Sequence, residues 1–536
     1  MSRIKSTEAA IAVNRFGLGA TPGELDAAAS NPRRWLLEQL EGDYQEPDEF
    51  RGFLSTAEHR RNYFYRYAVI GPELNTAQTA AKEADDQEKF EALGRDIGML
   101  LGGYVTWVAH NFMLEYGART NVALNTPAPF RERLVRFWSN HLVVPAIKQQ
   151  TDVICGAYER EVIRPHAIGR FDNMLQASAK NPAMLVFLDN HVSVGANSIY
   201  GKKSKNGLNE NLAREILELH TLGVEGGYTQ EDVIELARAI TGWTTYPAFS
   251  HLPYLQPQYR GQTPGAFEYQ SEWHEPGPRT VLGKKYPPGG IEQGDAILND
   301  LSRHPATARF LATKLARHFI ADEPTPALVA RLAAVYLAHD TDIGEMARAL
   351  VDTPEVWAQA KSKVKQPEDF ALSCYRALGL SLGEQPVQAM KTYNFATYKA
   401  IPNRWAWLAN DTFNFLDGNK DPTQFKDDPL ARDGAAIALF YADIQAMGQS
   451  PMNAPGPQGW YDRWTDWSGA DSMLKRVEWA LNLATQQSDK VSDARTLLAN
   501  TLGDLANTDL TSAVARAATK EQGIGLTLAS PDFQRR

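Results

Sequence analysis

Helix starts are written into this chain again and again, and they constrain what it can fold into more than any other feature. Thr21-Pro22-Gly23-Glu24 reads as a capping box with proline at the first helical position. Asn31-Pro32, Thr126-Pro127, Asn181-Pro182, His304-Pro305 and Thr325-Pro326 repeat the device, and Thr229 to Asp232 caps VIELARAI. Each start is followed by apolar residues at a period of ~3.6, as in RERLVRFWSNHL and ATARFLATKLARHFIA. The expectation is an all-α fold, a predominantly helical, multi-helix globular array. One excursion breaks the pattern near 265–288. There Phe267 and Tyr269 alternate with polar residues, Pro276-Gly277 marks a turn, and TVL follows, which predicts a small β-hairpin or extended stretch. Residues 246–265 carry proline and aromatics without helical period and read as an ordered loop.

The chain has 536 residues, whereas single cores stop growing at ~250–300, so one long helical unit of two or three lobes is expected. Their approximate spans are 1–200, 201–370 and 371–536. Hydrophobic residues make up 43% and charged residues 22%, enough to fold the bulk of the chain. The net charge of −9 argues against a nucleic-acid partner, which wants a clustered basic surface. Cys155 and Cys374 lie in no CxxC pattern, which rules out Cys₄ and Cys₂His₂ zinc and leaves two buried free thiols as the expectation. No apolar run approaches the ~18–20 residues of a membrane span, and the short stretch Ala9 to Val13 is too brief for a secretory core. The chain reads as cytoplasmic, with export by another route left open. Trp460, Trp464 and Trp467, within a proline- and glycine-rich segment, argue for a packed loop there.

Chemistry concentrates in NENLAREILELHTLGV. At 100° per residue, Asn211, Glu215 and Glu218 fall within about 60° on one helical face. Two carboxylates on one turn repel unless a cation, a proton or a metal lies between them, the arrangement of acid/base pairs and of helix-borne metal ligands. Arg214 is placed to serve one of them and Asn211 to donate to another. His220 lies about 200° round the helix from Glu218, so it joins them as a metal ligand only if the helix unwinds before Gly223. Because Leu212, Ile216, Leu217, Leu219 and Leu222 surround the pair, both glutamates are expected at the floor of the main polar cleft. RERLVRFWSNHL aligns Arg133, Phe137 and His141 at i,i+4 spacing, with Trp138 and Asn140 beside the histidine. His166 stands near Arg164 and Arg170, and His274 sits in the excursion, placed as a lid histidine would be. There is no GxSxG, GxGxxG, Walker or HExxH pattern, and no CxxCH for covalent haem.

The order of motifs is itself informative. AVNRFGLGATPGEL is followed by RERLVRFWSNHL, REVIRPHAIGRF, PAMLVFLDN, NENLAREILELHTLGV and GYTQEDVIELARAITGW. HEPGPRTVLG, HPATARFLATKLARHFIADEP and GPQGWYDRW complete the series. This series resembles the bacterial family called domain of unknown function 1800, from about residue 10 to residue 530. The resemblance implies a large helical protein and transfers no reaction. It also implies gene neighbours similar to exported phosphatase- or sulfatase-type proteins, and so a protein partner encoded nearby. Three readings are open. The first is a hydrolase-like enzyme with Glu215, Glu218, His141, His274 and Arg214 as catalytic groups, supported by Asn211, Trp138, Asn140, His166 and Arg133. It works with or without a divalent metal on Glu215, Glu218 and His220. The second is a non-catalytic scaffold or maturation partner of an exported enzyme. The third is a non-covalent haem protein using His141 or His220.

Overall fold

A computed structural model describes residues 3–64, 71–148, 150–204, 207–245, 265–358, 363–383 and 429–536. Helices dominate it, and the sheets among the described residues are two antiparallel pairs. Six of the helices are α1 (Gln87–Asn125), α2 (Pro129–His141), α3 (Gln230–Ala239), α4 (Pro305–Phe319), α5 (Pro367–Leu378) and α6 (Ala470–Gln486). Among the described residues no helix is long and apolar enough to cross a membrane.

The capping residues act where the sequence places them. Asn31 accepts from the Arg34 amide at 3.1 Å, Asn181 from Ala183 at 2.9 Å, His304 from Ala306 at 3.1 Å and Thr325 from Leu328 at 3.3 Å. Thr229 and Asp232 form a reciprocal box at the start of α3. Two starts are displaced. The Thr21 amide bonds to Glu24 Oε2 at 2.8 Å, but the helix begins only at Glu24, after Gly23 at φ 86°. Thr126 accepts from the Ala128 amide at 3.0 Å, and α2 starts at Pro129.

The excursion holds two pairings rather than one hairpin. β1 (Trp243–Thr245) pairs with β2 (Phe267–Tyr269), and β3 (Arg279–Val281) with β4 (Lys284–Tyr286). Only the second is a local hairpin; the first closes a long-range contact that alternation within one segment could not reveal. Most of the loop expected at 246–265 lies outside the described residues, as do Lys205 and Asn206.

The largest apolar cluster gathers Phe16, Leu134, Trp138, Ile216, Trp243, Leu315 and Phe319. A second packs α5 against α6 and the C-terminal helices, and a third joins Tyr116 of α1 to Leu372 of α5. Both cysteines are buried and free, as their spacing predicts. Among the described residues three wide helical turns interrupt the α-geometry, at Ala12–Phe16, Glu159–Ile163 and Ile216–Thr221. Such single-turn bulges re-aim side chains and recur at functional sites.

Candidate functional site

α2 carries two distinct faces. Leu134, Trp138 and His141 pack into the main core. Arg133, Arg136, Phe137 and Asn140, at i, i+3, i+4 and i+7, line a half-open cavity of about 90 Å³. The opposite walls are Arg119 of α1, Glu159 of the second wide turn, His318 of α4, Glu368 and Asp369 of α5, and Trp460.

Burying so many charges is costly unless each is paired. Glu159 Oε2 accepts from Arg119 Nε at 2.8 Å and from Ser139 at 2.8 Å, while its Oε1 accepts from Arg164 at 2.7 Å. Burial alone would raise the Glu159 pKa, but Arg119 and Arg164 hold it at about 2. Glu368 bridges Arg119 at 2.9 Å and Arg136 at 2.6 Å. Asp369 pairs with Arg133 at 3.1 Å and with Arg536, which keep it far below the usual carboxylate range despite its burial. Glu368 and Asp369 occupy the first turn of α5, where the helix dipole favours anions. Arg536 reaches this centre because its backbone bridges to Lys363, N to O at 2.9 Å. Burial, with Arg536 close by, pulls the Arg133 guanidinium down to about 10.

His318 is the group whose chemistry stands out. Its Nδ1 lies 2.7 Å from Asp462 Oδ2. Its Nε2 is buried and has no partner. Phe137 and Phe319 fix the ring, with centroids 5.2 and 4.9 Å away. Burial lowers its pKa to about 4, and Asp462 opposes that shift. A carboxylate on Nδ1 selects the tautomer with a lone pair on Nε2, as in the orienting half of a catalytic triad. Asp462 is held in turn by Lys363, which donates to its carbonyl, and by the Arg536 guanidinium at 3.6 Å. The neighbouring Trp460 is clamped by Asn140, which accepts from its amide at 2.7 Å and donates to its carbonyl at 2.9 Å. Gly459 permits this approach: at φ 76°, a Cβ there would lie 2.3 Å from the Asn140 carbonyl oxygen.

Of the candidate catalytic, metal and supporting residues, the fold brings Arg133 and Asn140 to this cavity and the others lie off its walls; Phe137, Cys155 and Trp460, read from the sequence as packing residues, also line it. Glu215 and Glu218 are half-buried and do not line this cavity. The wide turn at Ile216–Thr221 turns Ile216, Leu217 and His220 inward and leaves Glu218 to accept from Tyr228 at 3.0 Å. Burial and the Glu218 charge push Glu215 up to about 7. Arg214 serves Glu210 at 3.0 Å and Gln230 at 2.9 Å rather than Glu215, and Asn211 is exposed. His141 Nε2 meets the His220 carbonyl at 3.1 Å, and both rings are buried, with burial lowering both pKa values. His166 Nδ1 meets Val162 O at 2.7 Å; His274 is buried rather than lid-like, its Nδ1 3.2 Å from Thr241 O. Among the described residues no three of His, Cys, Asp and Glu are grouped as a metal ion would require, so Glu215, Glu218 and His220 form no such set.

Residues 11–535 match the family described as "Protein of unknown function (DUF1800)". The chain belongs to this family. No curated protein and no solved structure matches it. The cavity draws its walls from several of the family-like motifs. His318 stands in HPATARFLATKLARHFIADEP, and Trp460 and Asp462 in GPQGWYDRW. Both runs are visible in the sequence, but the first reads there as a core helix and the second as a packed loop. The Arg133–Arg136–Asn140 stripe of RERLVRFWSNHL is equally visible, one helical face away from the histidine that draws the eye.

Proposed function

We propose that the protein is an acid/base hydrolase whose reaction centre is the His318–Asp462 pair at this cavity. The observation that carries this is the His318 ring, held by Asp462 on Nδ1 at 2.7 Å, with an unpartnered Nε2 in a residue that lines the cavity. In this reading Nε2 accepts a proton from a water as the water oxygen attacks an acyl, phosphoryl or sulfuryl centre. The bond from that centre to the leaving oxygen breaks, and His318 returns the proton to that oxygen. Asp462 keeps its place on Nδ1–H and stabilises the imidazolium. Arg133 and Arg136 supply fixed positive charge beside the ring, placed to act on a developing oxyanion.

The test is release of p-nitrophenol from its phosphate, sulfate and acetate esters. The wild type turns over at least one of them, and His318→Gln lowers the rate at least about a hundredfold while the circular dichroism spectrum is unchanged. Inertness of the wild type towards all three, or full activity of His318→Gln, overturns the reading. The pair Glu215 and Glu218, with Arg214 nearby, is a rival acid/base centre; its support is the raised pKa of Glu215.

A second reading, a protein partner, is favoured by Tyr461, Trp464 and Leu474, large apolar side chains that stay exposed in and just after the segment carrying Asp462. Pull-down from the native host tests it; recovery of a lone monomer, indifferent to Trp464→Ser, removes it.

A further inference from the structure

We infer that the cavity beside His318 is a binding site for one small oxyanion, the charged group of the substrate, held by Arg133 Nη2, Arg136 Nη1 and Trp460 Nε1. The inference rests on the hydrolase reading for the meaning of the site and adds the substrate class to it. Its ground is a donor count. Among the residues lining the cavity, the buried side-chain atoms that lack any hydrogen-bond partner are these three and His318 Nε2. A guanidinium nitrogen and an indole nitrogen donate and cannot accept. The three carboxylates on the same walls are already engaged: Glu159 by Arg119, Arg164 and Ser139, Glu368 by Arg119 and Arg136, and Asp369 by Arg133 and Arg536. What the cavity lacks is therefore acceptors, and an unpaired buried donor is costly until it finds one.

Size narrows the occupant. A volume of about 90 Å³ holds on the order of six waters, or one carboxylate, sulfate or phosphate group, and the remainder of an ester lies beyond its opening. Geometry narrows it further. Arg133 and Arg136 reach in from one face of α2, while Trp460 comes from a separate segment fixed on that helix by Asn140. Three donor-only nitrogens on residues that line one small volume suit the several oxygens of an anion better than a single carbonyl. His318 lines the same volume, so the anion and the proton acceptor are neighbours.

Calorimetric titration of the full chain with sodium phosphate, sodium sulfate or sodium acetate, at constant ionic strength in chloride, tests the inference. At least one anion binds once per chain, saturably. Trp460→Phe, which removes one donor and keeps an aromatic ring, weakens that binding about tenfold or more without moving the melting temperature. Phosphate or sulfate without acetate assigns a tetrahedral group, and acetate alone a carboxylate. Absence of saturable binding by all three anions, or unchanged affinity in Trp460→Phe, overturns the inference. His318→Gln separates it from the hydrolase reading. Retained binding in that variant, with no esterolysis by the wild type, leaves the anion site standing alone. Esterolysis lost in His318→Gln, with no anion bound by the wild type, leaves the acid/base centre alone.

Discussion

His318 Nδ1 and Asp462 Oδ2 meet at 2.7 Å across 144 positions of sequence. The contact joins the last turn of α4 to the tryptophan-rich segment and sets the imidazole against a wall of arginines. Its electrostatics lead to a test in activity. With the cavity empty, burial and the Arg536 and Arg133 charges hold His318 down to about 4, against the pull of Asp462. An anion beside Nε2 favours the imidazolium and raises that value. The acid limb of kcat/KM, which reports the free enzyme, falls near pH 4; the acid limb of kcat, which reports the complex, lies at higher pH. Coincident limbs at about pH 6.5 would show that the ring is not buried as described.

Stability against acid follows from the same burial. Burial lowers His318 and His191 to about 4 and His220 to about 3, and it drives His141 down as well. Each titrates at ~6.5 in the unfolded chain, so unfolding takes up protons below that pH. Their contribution is whole above about pH 6.5 and is lost as the pH falls towards 4, at roughly 1.4 kcal/mol per unit for each ring. Glu159 and Asp462, held at about 2, add their loss only below roughly pH 4.5. Scanning calorimetry should show the melting temperature dropping steeply between about pH 6.5 and 4.5. A flat profile over that range counts against neutral buried rings.

Glu215 behaves in the opposite sense. Burial first, then Glu218, pushes it up to about 7, so the folded protein holds a proton that the unfolded chain has released. Its contribution is favourable below about pH 4.5 and lost as the pH rises to 7. Glu215→Gln should melt with the wild type at about pH 5 and above it at about pH 8.5. Equal melting at both values refutes the repulsion; loss of esterolysis in this variant, with the fold intact, would move the reaction centre to the glutamate pair.

Asn140→Ala removes both bonds to the Trp460 backbone and leaves a part-buried amide and carbonyl without these partners. The expected loss is about 1–3 kcal/mol by urea titration, together with weaker anion binding. Asn140→Ala with wild-type stability and wild-type affinity would mean that the clamp does not position Trp460.

Chelation probes the metal and haem readings directly. With Glu215, Glu218 and His220 ungrouped, dialysis against EDTA should leave the melting temperature and esterolysis unchanged. With His141 Nε2 occupied by the His220 carbonyl, fresh protein should show no Soret band. Stoichiometric metal lost together with activity, or a Soret band, contradicts this.

The sequence by itself determined the helical class, because caps, prolines and apolar period are local and act within one turn of where they are written. Asn31, Asn181, Thr229, His304 and Thr325 each satisfy amides a few residues away. It also determined the family, through motifs read in order. Tertiary structure alone decided the site. The pairs Arg119–Glu368, Arg133–Asp369 and His318–Asp462 close over 249, 236 and 144 positions, and no spacing in the chain encodes them. Helical phase decided the rest. The glutamates of NENLAREILELHTLGV stay half-buried and feel each other's charge, but the wide turn at Ile216–Thr221 commits Ile216, Leu217 and His220 to the core. One face of α2, by contrast, carries Arg133, Arg136 and Asn140 into a polar cavity because its other face is committed to apolar packing around Trp138. A charged side chain shows its role only when burial forces it to find a partner, and which partner is available is a property of the assembled fold.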